Sequence, residues 1–137
     1  MYGTGNMTIE QMAADNVTMT IYGNGDITID QIEGGEVVAI IHGAGDITID
    51  QMNGDRVTST QLGVGDVHVS GQVDDLDVGI SGRGDFDGAD LQCQDVTVAI
   101  GNTNHATVWA VDTLDVTIAG FGSVSYYGNP MLSLHRT

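Results

Sequence analysis

The chain has 137 residues and carries nineteen acidic residues, sixteen of them Asp, against three Arg and no Lys, which gives a formal net charge of −16. A surface this acidic argues against nucleic acid and anionic lipid as partners, because both need a basic face. No apolar stretch approaches the ~20 residues needed to cross a bilayer, so we expect no membrane insertion, and the length corresponds to about one domain.

One sequence motif recurs along the chain. The segment Ile21–Gln31 reads Ile-Tyr-Gly-Asn-Gly-Asp-Ile-Thr-Ile-Asp-Gln, and Ile41–Gln51 reads Ile-His-Gly-Ala-Gly-Asp-Ile-Thr-Ile-Asp-Gln. Units of 19 to 20 residues start at Tyr2, Tyr22, His42, Leu62 and Ser81, with a degenerate unit near Gly101 and a partial one at Ala119. A fixed period of this size indicates a solenoid, in which each coil buries its apolar side only when a neighbour stacks on it.

The first coil begins within two residues of Met1. Because no signal peptide fits before it, we expect either that an export signal has been removed or that the native product starts here and leaves its cell by another route. The strand edge of this coil is open, and solenoids normally protect such an edge. We therefore expect a protein partner or self-association through this open N-terminal coil, as part of a larger assembly.

Each coil contains two runs in which apolar and polar residues alternate, which is the period of a β-strand. Equivalent apolar positions form predicted inward columns, such as Ile27, Ile47 and Val67. Turns such as Glu33-Gly34-Gly35 are predicted between the runs, and a corner column is predicted at Met12, Ile32, Met52, Leu91 and Val111. Because right-handed crossovers dominate parallel connections, we predict an all-β, right-handed parallel β-helix (β-solenoid) with about 20 residues per coil and six to seven coils.

Pairs of glycines mark the opposite corner of the coils. Gly is needed where the backbone adopts a positive φ or where coils approach too closely for a Cβ. The predicted structural turn glycines are Gly23, Gly25, Gly43, Gly45, Gly63, Gly65, Gly82, Gly84, Gly120 and Gly122.

The repeat pattern ends after Tyr127, and Pro130 removes a donor from any further ladder. We predict that residues 128–137 form a cap or tail that folds over the last coil. A single β-solenoid domain is thus predicted for residues 1–137, with the coils in residues 1–127.

The end of the chain also carries a family resemblance. Gly-x-Gly-Asp-Ile-x-Ile coils lead into a closing segment with Leu114-Asp115, then Gly120-Phe121-Gly122-Ser123-Val124, then Tyr127-Gly128-Asn129-Pro130. Over nearly its whole length the chain resembles the putative auto-transporter adhesin head GIN domain family. The resemblance implies a right-handed β-helix, a place on the cell surface or outside the cell, and no defined catalytic residues.

One Asp follows the glycine pair in four successive coils, at Asp26, Asp46, Asp66 and Asp85. Like charges ~4.8 Å apart repel, so these carboxylates must lie open to water, share protons or hold cations. They are candidate calcium ligands, and apart from calcium we expect no cofactor. The period differs from that of calcium-binding β-rolls, however, and Asp after Gly more often hydrogen-bonds nearby backbone.

The remaining candidates point to contact rather than catalysis. Trp109, Tyr126 and Tyr127 form a possible contact patch near the carboxyl end, although closure of the core there explains them equally well. Cys93 is expected to be a small, semi-buried side chain. Polysaccharide-cleaving β-helices need paired carboxylates or a basic residue in a groove walled by long loops, and every turn predicted here is short. We therefore predict no catalytic residues and no enzyme.

These observations favour a noncatalytic structural or adhesive β-helix rod that mediates surface attachment or assembly. One alternative is a virion structural protein such as a fibre, spike or capsid decoration, because virion proteins need no signal peptide. A second alternative is a cation-dependent (calcium) binding module. The expected location is the cell surface or extracellular space by family resemblance, or a virion.

Overall fold

The computed structural model describes residues 4–136, which form strands and no helix. The strands are β1 (Met7–Ile21), β2 (Ile27–Ile41), β3 (Ile47–Gln61), β4 (Val67–Ile80), β5 (Phe86–Asn102), β6 (His105–Gly120), β7 (Ser123–Tyr127) and β8 (Met131–Arg136). Within this range there is accordingly no helix long and apolar enough to cross a bilayer.

Strands β1 to β6 each pair in parallel with the coil that follows them along the chain. Strands β1 to β6 each form most of one coil, and β7 and β8 both pair with β6, so together they form the last coil, residues 123–136. The predicted all-β parallel β-solenoid, with coils of about 20 residues, is confirmed. The right-handed winding stays a prediction.

Parallel pairing in register stacks equivalent residues into the core columns. Ile27 pairs with Ile47 and Ile47 with Val67, and all three side chains are buried. Each fully buried aliphatic side chain contributes about 1.5 to 3 kcal/mol relative to its exposed state. The core is therefore a set of aliphatic columns parallel to the solenoid axis, and its continuity depends on every coil keeping the same register.

The turns predicted at segments such as Glu33-Gly34-Gly35 lie within the ladder, which continues through them. Glu33 pairs with Asn53 and Gly34 with Gly54, inside strands β2 and β3. The spacing of the buried side chains changes on both sides of Ile32, since Ile29, Ile32 and Val37 are all buried although they lie three and five residues apart. The chain therefore bends before Ile32 and again across Glu33-Gly34-Gly35. Backbone hydrogen bonds of a solenoid run along its axis, so a corner can bend without losing its ladder partners.

A register shift between β3 and β4 alters the core of the later coils. Ile49 pairs with Val69 but Met52 pairs with Gly71, so one residue is lost from the fourth coil at this corner. From there Val73 and Cys93 point inward and are buried. Cys93 is thus fully rather than partly buried. In the next coil Ala110 is buried beside Cys93, and the predicted corner residue Val111 is only partly buried.

The predicted cap over the last coil is also wrong. Residues 131–136 form β8, which pairs with β6 in the register Leu114 with Leu132 and Val116 with Leu134. The coils therefore continue to Arg136 instead of ending at Tyr127. Gly128, with φ of 100°, turns the chain between β7 and β8 together with the following Asn-Pro, so this turn signal marks a corner and not an end.

Candidate functional site

A column of side chains that we call the Asp column runs along one face of the solenoid and consists of Asn6, Asp26, Asp46, Asp66 and Asp85. Each Oδ1 accepts a hydrogen bond from the backbone N–H one coil further on. The N to O distances are 3.0 Å for Asp26 to Asn6, 2.9 Å for Asp46 to Asp26, 2.8 Å for Asp66 to Asp46, 2.8 Å for Asp85 to Asp66 and 3.1 Å for His105 to Asp85.

These hydrogen bonds explain the recurrence of Asp without a bound ion. A carboxylate that accepts a backbone N–H makes a stronger bond than a neutral acceptor. Asn6 fills the first position of the column with an amide oxygen, so the bond itself needs no charge. Among residues 4–136 no three His, Cys, Asp or Glu side chains are grouped so that they could hold a metal ion. Calcium binding by Asp26, Asp46, Asp66 and Asp85 stays a prediction.

The two glycines before each Asp have different tasks, as the third coil shows. Gly45 has a φ of 151°, and a Cβ there would overlap the carbonyl of Gly25. Gly43 lies against the carbonyl of Gly23 without a positive φ. The same two environments recur at Gly63, Gly65, Gly82 and Gly84. The Gly-x-Gly-Asp motif therefore combines a close approach of coils, a positive φ and an acceptor for the next coil.

The two predicted glycines near the end of the chain lie in a different kind of corner. Gly120 has a φ of 115°, and a Cβ on Gly122 would lie 2.6 Å from the carbonyl oxygen of Asn104. Both glycines are therefore required by the backbone around them.

Asn104 is a structural residue that sequence reasoning missed. Its coil lacks the Gly-x-Gly pair, and its side chain, 5% exposed, fills the corner instead. Asn104 Oδ1 accepts from the N–H of Gly84, while Nδ2 donates to the carbonyls of Gly82 and Gly101 at 3.1 and 2.9 Å. The available signal was the loss of the motif at Gly101-Asn102-Thr103-Asn104, since a broken repeat needs a substitute for the missing bonds.

An open groove of about 350 Å³ lies beside the Asp column and holds two histidines. His68 Nδ1 lies 3.2 Å from Oδ2 of Asp87. His105 Nδ1 lies 2.7 Å from Oγ of Ser123, and its Nε2 lies 3.3 Å from Oγ1 of Thr107. The two histidines therefore belong to separate networks within one groove.

This groove lacks the arrangement of a nucleophilic hydrolase. A serine triad needs a histidine whose second nitrogen contacts a carboxylate. The second nitrogen of His105 faces Thr107 instead, and His68, which does contact Asp87, bonds no hydroxyl in the described part of the chain. Burial raises the pKa of the Cys93 thiol to about 12, so this thiol is not a nucleophile at neutral pH.

The three aromatic candidates fall into two separate places. Trp109 pairs with Tyr127 across β6 and β7, and both rings point outward beside Ala89 and Asp90. We call these two residues the lateral aromatic pair. Tyr126 pairs with the buried Val108 and so points along the inward column, where it lines the open end of the solenoid. The predicted patch is therefore divided by the alternation of side chains along β7.

Comparison with known protein families gives one decisive match. The model of the putative auto-transporter adhesin, head GIN domain, matches residues 21–130, which is more than half of the chain. The chain belongs to this family. Neither the curated proteins nor the solved structures contain a match to it.

The adhesin head GIN domain covers strands β2 to β7, and with them most of the Asp column and the whole lateral aromatic pair. The family and the β-solenoid fold together fit a noncatalytic adhesive or structural role. They also suggest a cell-surface or extracellular location and interaction with other molecules or assembly.

Proposed function

We propose that this adhesin head GIN domain is a noncatalytic attachment module, a rigid rod that binds a surface partner through its lateral aromatic pair. The observation that carries the proposal is the geometry of Trp109 and Tyr127. They are outward-facing aromatic neighbours on adjacent strands, and Tyr127 is 57% exposed. Tyr and Trp supply large contact areas with few rotatable bonds, which is why they dominate binding hot spots.

The surroundings of the pair hold it in place for binding. The ring of Trp109 lies over Gly128, where a Cβ would be 3.2 Å from its Cδ1, so the glycine leaves space for the ring. Strands β6 and β7 fix both backbones through their parallel ladder. A shallow cleft of about 270 Å³ lies between the rings, Ala89 and Asp90. Asp90 adds a hydrogen-bond acceptor at its edge, which suits a partner with hydroxyl, amide or cationic groups.

The noncatalytic part of the proposal is supported by the contacts of His105 in the groove and by the burial of Cys93 in the core. His105 has no carboxylate partner in the described chain, and Cys93 is a buried, protonated thiol. His105 therefore lacks the carboxylate that orients the histidine of a serine triad, and Cys93 is not the thiolate that a cysteine nucleophile requires. The proposed location is the cell surface or the extracellular space. The virion alternative gains no support from the structure or from the family, and we do not carry it further.

Attachment is tested with beads that carry the full chain, flowed over glass coated with mucin, cellulose or serum albumin. We expect retention on mucin or cellulose above that on albumin, and a loss of at least tenfold in retained beads for Trp109→Ala and for Tyr127→Ala. Tyr22→Ala is the matched control, because Tyr22 is 48% exposed but lies on another corner, stacked on His42 at 4.8 Å.

Two results would contradict the proposal. Retention equal to that on albumin for every coating would argue against attachment to these classes of surface. Retention that survives both aromatic substitutions would place the contact elsewhere on the rod. Circular dichroism of each variant shows whether a loss of binding reflects a loss of fold.

A further inference from the structure

In the last coil, residues 123–136, the apolar side chains that end the core columns are exposed to solvent. Val124, Leu132 and Leu134 continue the columns of Ala106, Leu114 and Val116, which are buried in the coil before. Leu132 is 46% exposed and Leu134 is 55% exposed, because no further coil covers them within the described chain. They line a largely apolar depression of about 220 Å³.

The last coil is also the exception to the acidity of the chain. All nineteen acidic residues lie at or before Asp115, and the segment after it carries Arg136 and no Asp or Glu. Arg136 lies at an inward position in register with Ile118, and its guanidinium donates to the carbonyl of Gly122 at 3.4 Å. The carboxyl end of the rod is thus apolar and weakly cationic, in a chain with a formal net charge of −16.

The first coil presents an open strand edge and an acidic surface. β1 pairs on one side only, with β2, and its other edge has no ladder partner among the described residues. Met7 is 43% exposed, and Ile9 and Met12 are partly buried. Glu10 and Asp15 are exposed on the same coil and make this end acidic.

We propose that the chain assembles head to tail, with the last coil of one copy stacked on the first coil of the next. In this arrangement Val124 continues onto Met7, which is exposed, while Leu132 and Leu134 follow the columns of Val17 and Met19, which are already buried, so the new burial lies mainly on Met7, Leu132 and Leu134. The contact would extend the parallel ladder, with Arg136 in the column that ends at Ile21.

The head-to-tail choice follows from the direction of the strands. The two edges of a parallel stack are different. The edge of the last coil can continue the parallel ladder only with the edge of a first coil. A tail-to-tail contact would bring two cationic ends together and pair the strands in a pattern found nowhere in the described residues. A head-to-tail contact does not close on itself, so it generates open linear oligomers. This inference is independent of the proposed attachment function.

The first test measures the mass of the full chain by sedimentation over a wide range of concentration. We expect a continuous series of oligomers that grows with concentration. Leu134→Asp, which places a charge in the proposed contact, is expected to reduce the assembly to monomer. Leu62→Asp is the matched control, because Leu62 is 48% exposed on the side of the rod, and it is expected to assemble like the unaltered chain.

The second test separates head-to-tail from tail-to-tail contacts. Met7→Asp blocks the first coil and leaves the last coil intact, while Leu134→Asp does the reverse. Each variant alone is expected to be monomeric, and an equal mixture is expected to form a dimer that contains one copy of each. If Met7→Asp alone forms dimers, the contact is tail to tail and the proposal is wrong. A monomer at every concentration for the unaltered chain would also overturn it, as would a mixture that stays monomeric while both variants retain the melting curve of a folded chain.

Discussion

At the residue scale, Asn6 and Asp26 make the same hydrogen bond with different chemical groups. Both accept a backbone N–H from the next coil through Oδ1, at 3.0 and 2.9 Å. What the column requires is an oxygen at this position, and the negative charge adds repulsion between neighbours ~4.8 Å apart. Acceptor and charge can therefore be separated by substitution.

We predict that Asp46→Asn changes the free energy of unfolding little, because the amide oxygen still accepts the N–H of Asp66 and the weaker neutral hydrogen bond is offset by the removal of one repelling charge. Asp46→Ala removes the acceptor as well and is expected to be less stable than Asp46→Asn by about 1 kcal/mol. Urea denaturation of the two variants measures the difference. Equal stability of the Asn and Ala variants would mean that this hydrogen bond contributes nothing.

Individual residues also show where prediction from sequence reaches its limit. The period placed Ile27, Ile47 and Val67 in the core, because alternation identifies the buried face directly. It did not place Val73, because the residue lost at the preceding corner changes which side chains point inward. The role of Asn104 was also hidden, since its three backbone partners lie in the previous coil and in its own.

At the scale of one coil, the backbones of neighbouring coils lie in close contact at the glycine corner, and this contact sets the distance between the coils. Gly45→Ala is expected to lower the free energy of unfolding by about 2 to 4 kcal/mol, because it combines a φ of 151° with overlap on the carbonyl of Gly25. Gly79→Ala is the control, since its Cβ would find its nearest neighbour at 4.0 Å, and it is expected to be neutral or stabilising by about 0.5 kcal/mol. Thermal melts of both variants check this, and similar losses for the two would rule out the corner as the cause.

The last coil shows how a turn can be identified from sequence while its place in the fold is predicted wrongly. Gly128-Asn129-Pro130 is a strong turn signal, and such signals are common both at corners and at the ends of repeats. Leu132 and Leu134 alternate with polar residues as in the other coils, but two apolar residues are a short pattern. Only the pairing of β8 with β6 distinguishes another half coil from a cap.

At the scale of the whole molecule, a formal net charge of −16 opposes compaction. We predict that the melting temperature rises with sodium chloride, since salt screens the repulsion. Calcium chloride and magnesium chloride at equal concentration are expected to raise it by the same amount, because no described cluster offers calcium a dedicated site. A larger rise with calcium that a chelator reverses would instead establish the cation-dependent alternative.

The hydrogen bonds that join neighbouring coils run along the axis of the rod. A force along this axis therefore acts on these hydrogen bonds and not on the covalent backbone. A force applied to the two ends should break the ladders one after another from an end, so that the chain unwinds one turn at a time. Each turn of about 20 residues would release roughly 70 Å of extended chain in place of a ~4.8 Å rise. Force spectroscopy would record this unwinding as evenly spaced extension steps. A copy attached at both ends would therefore lengthen stepwise under force before either attachment is lost.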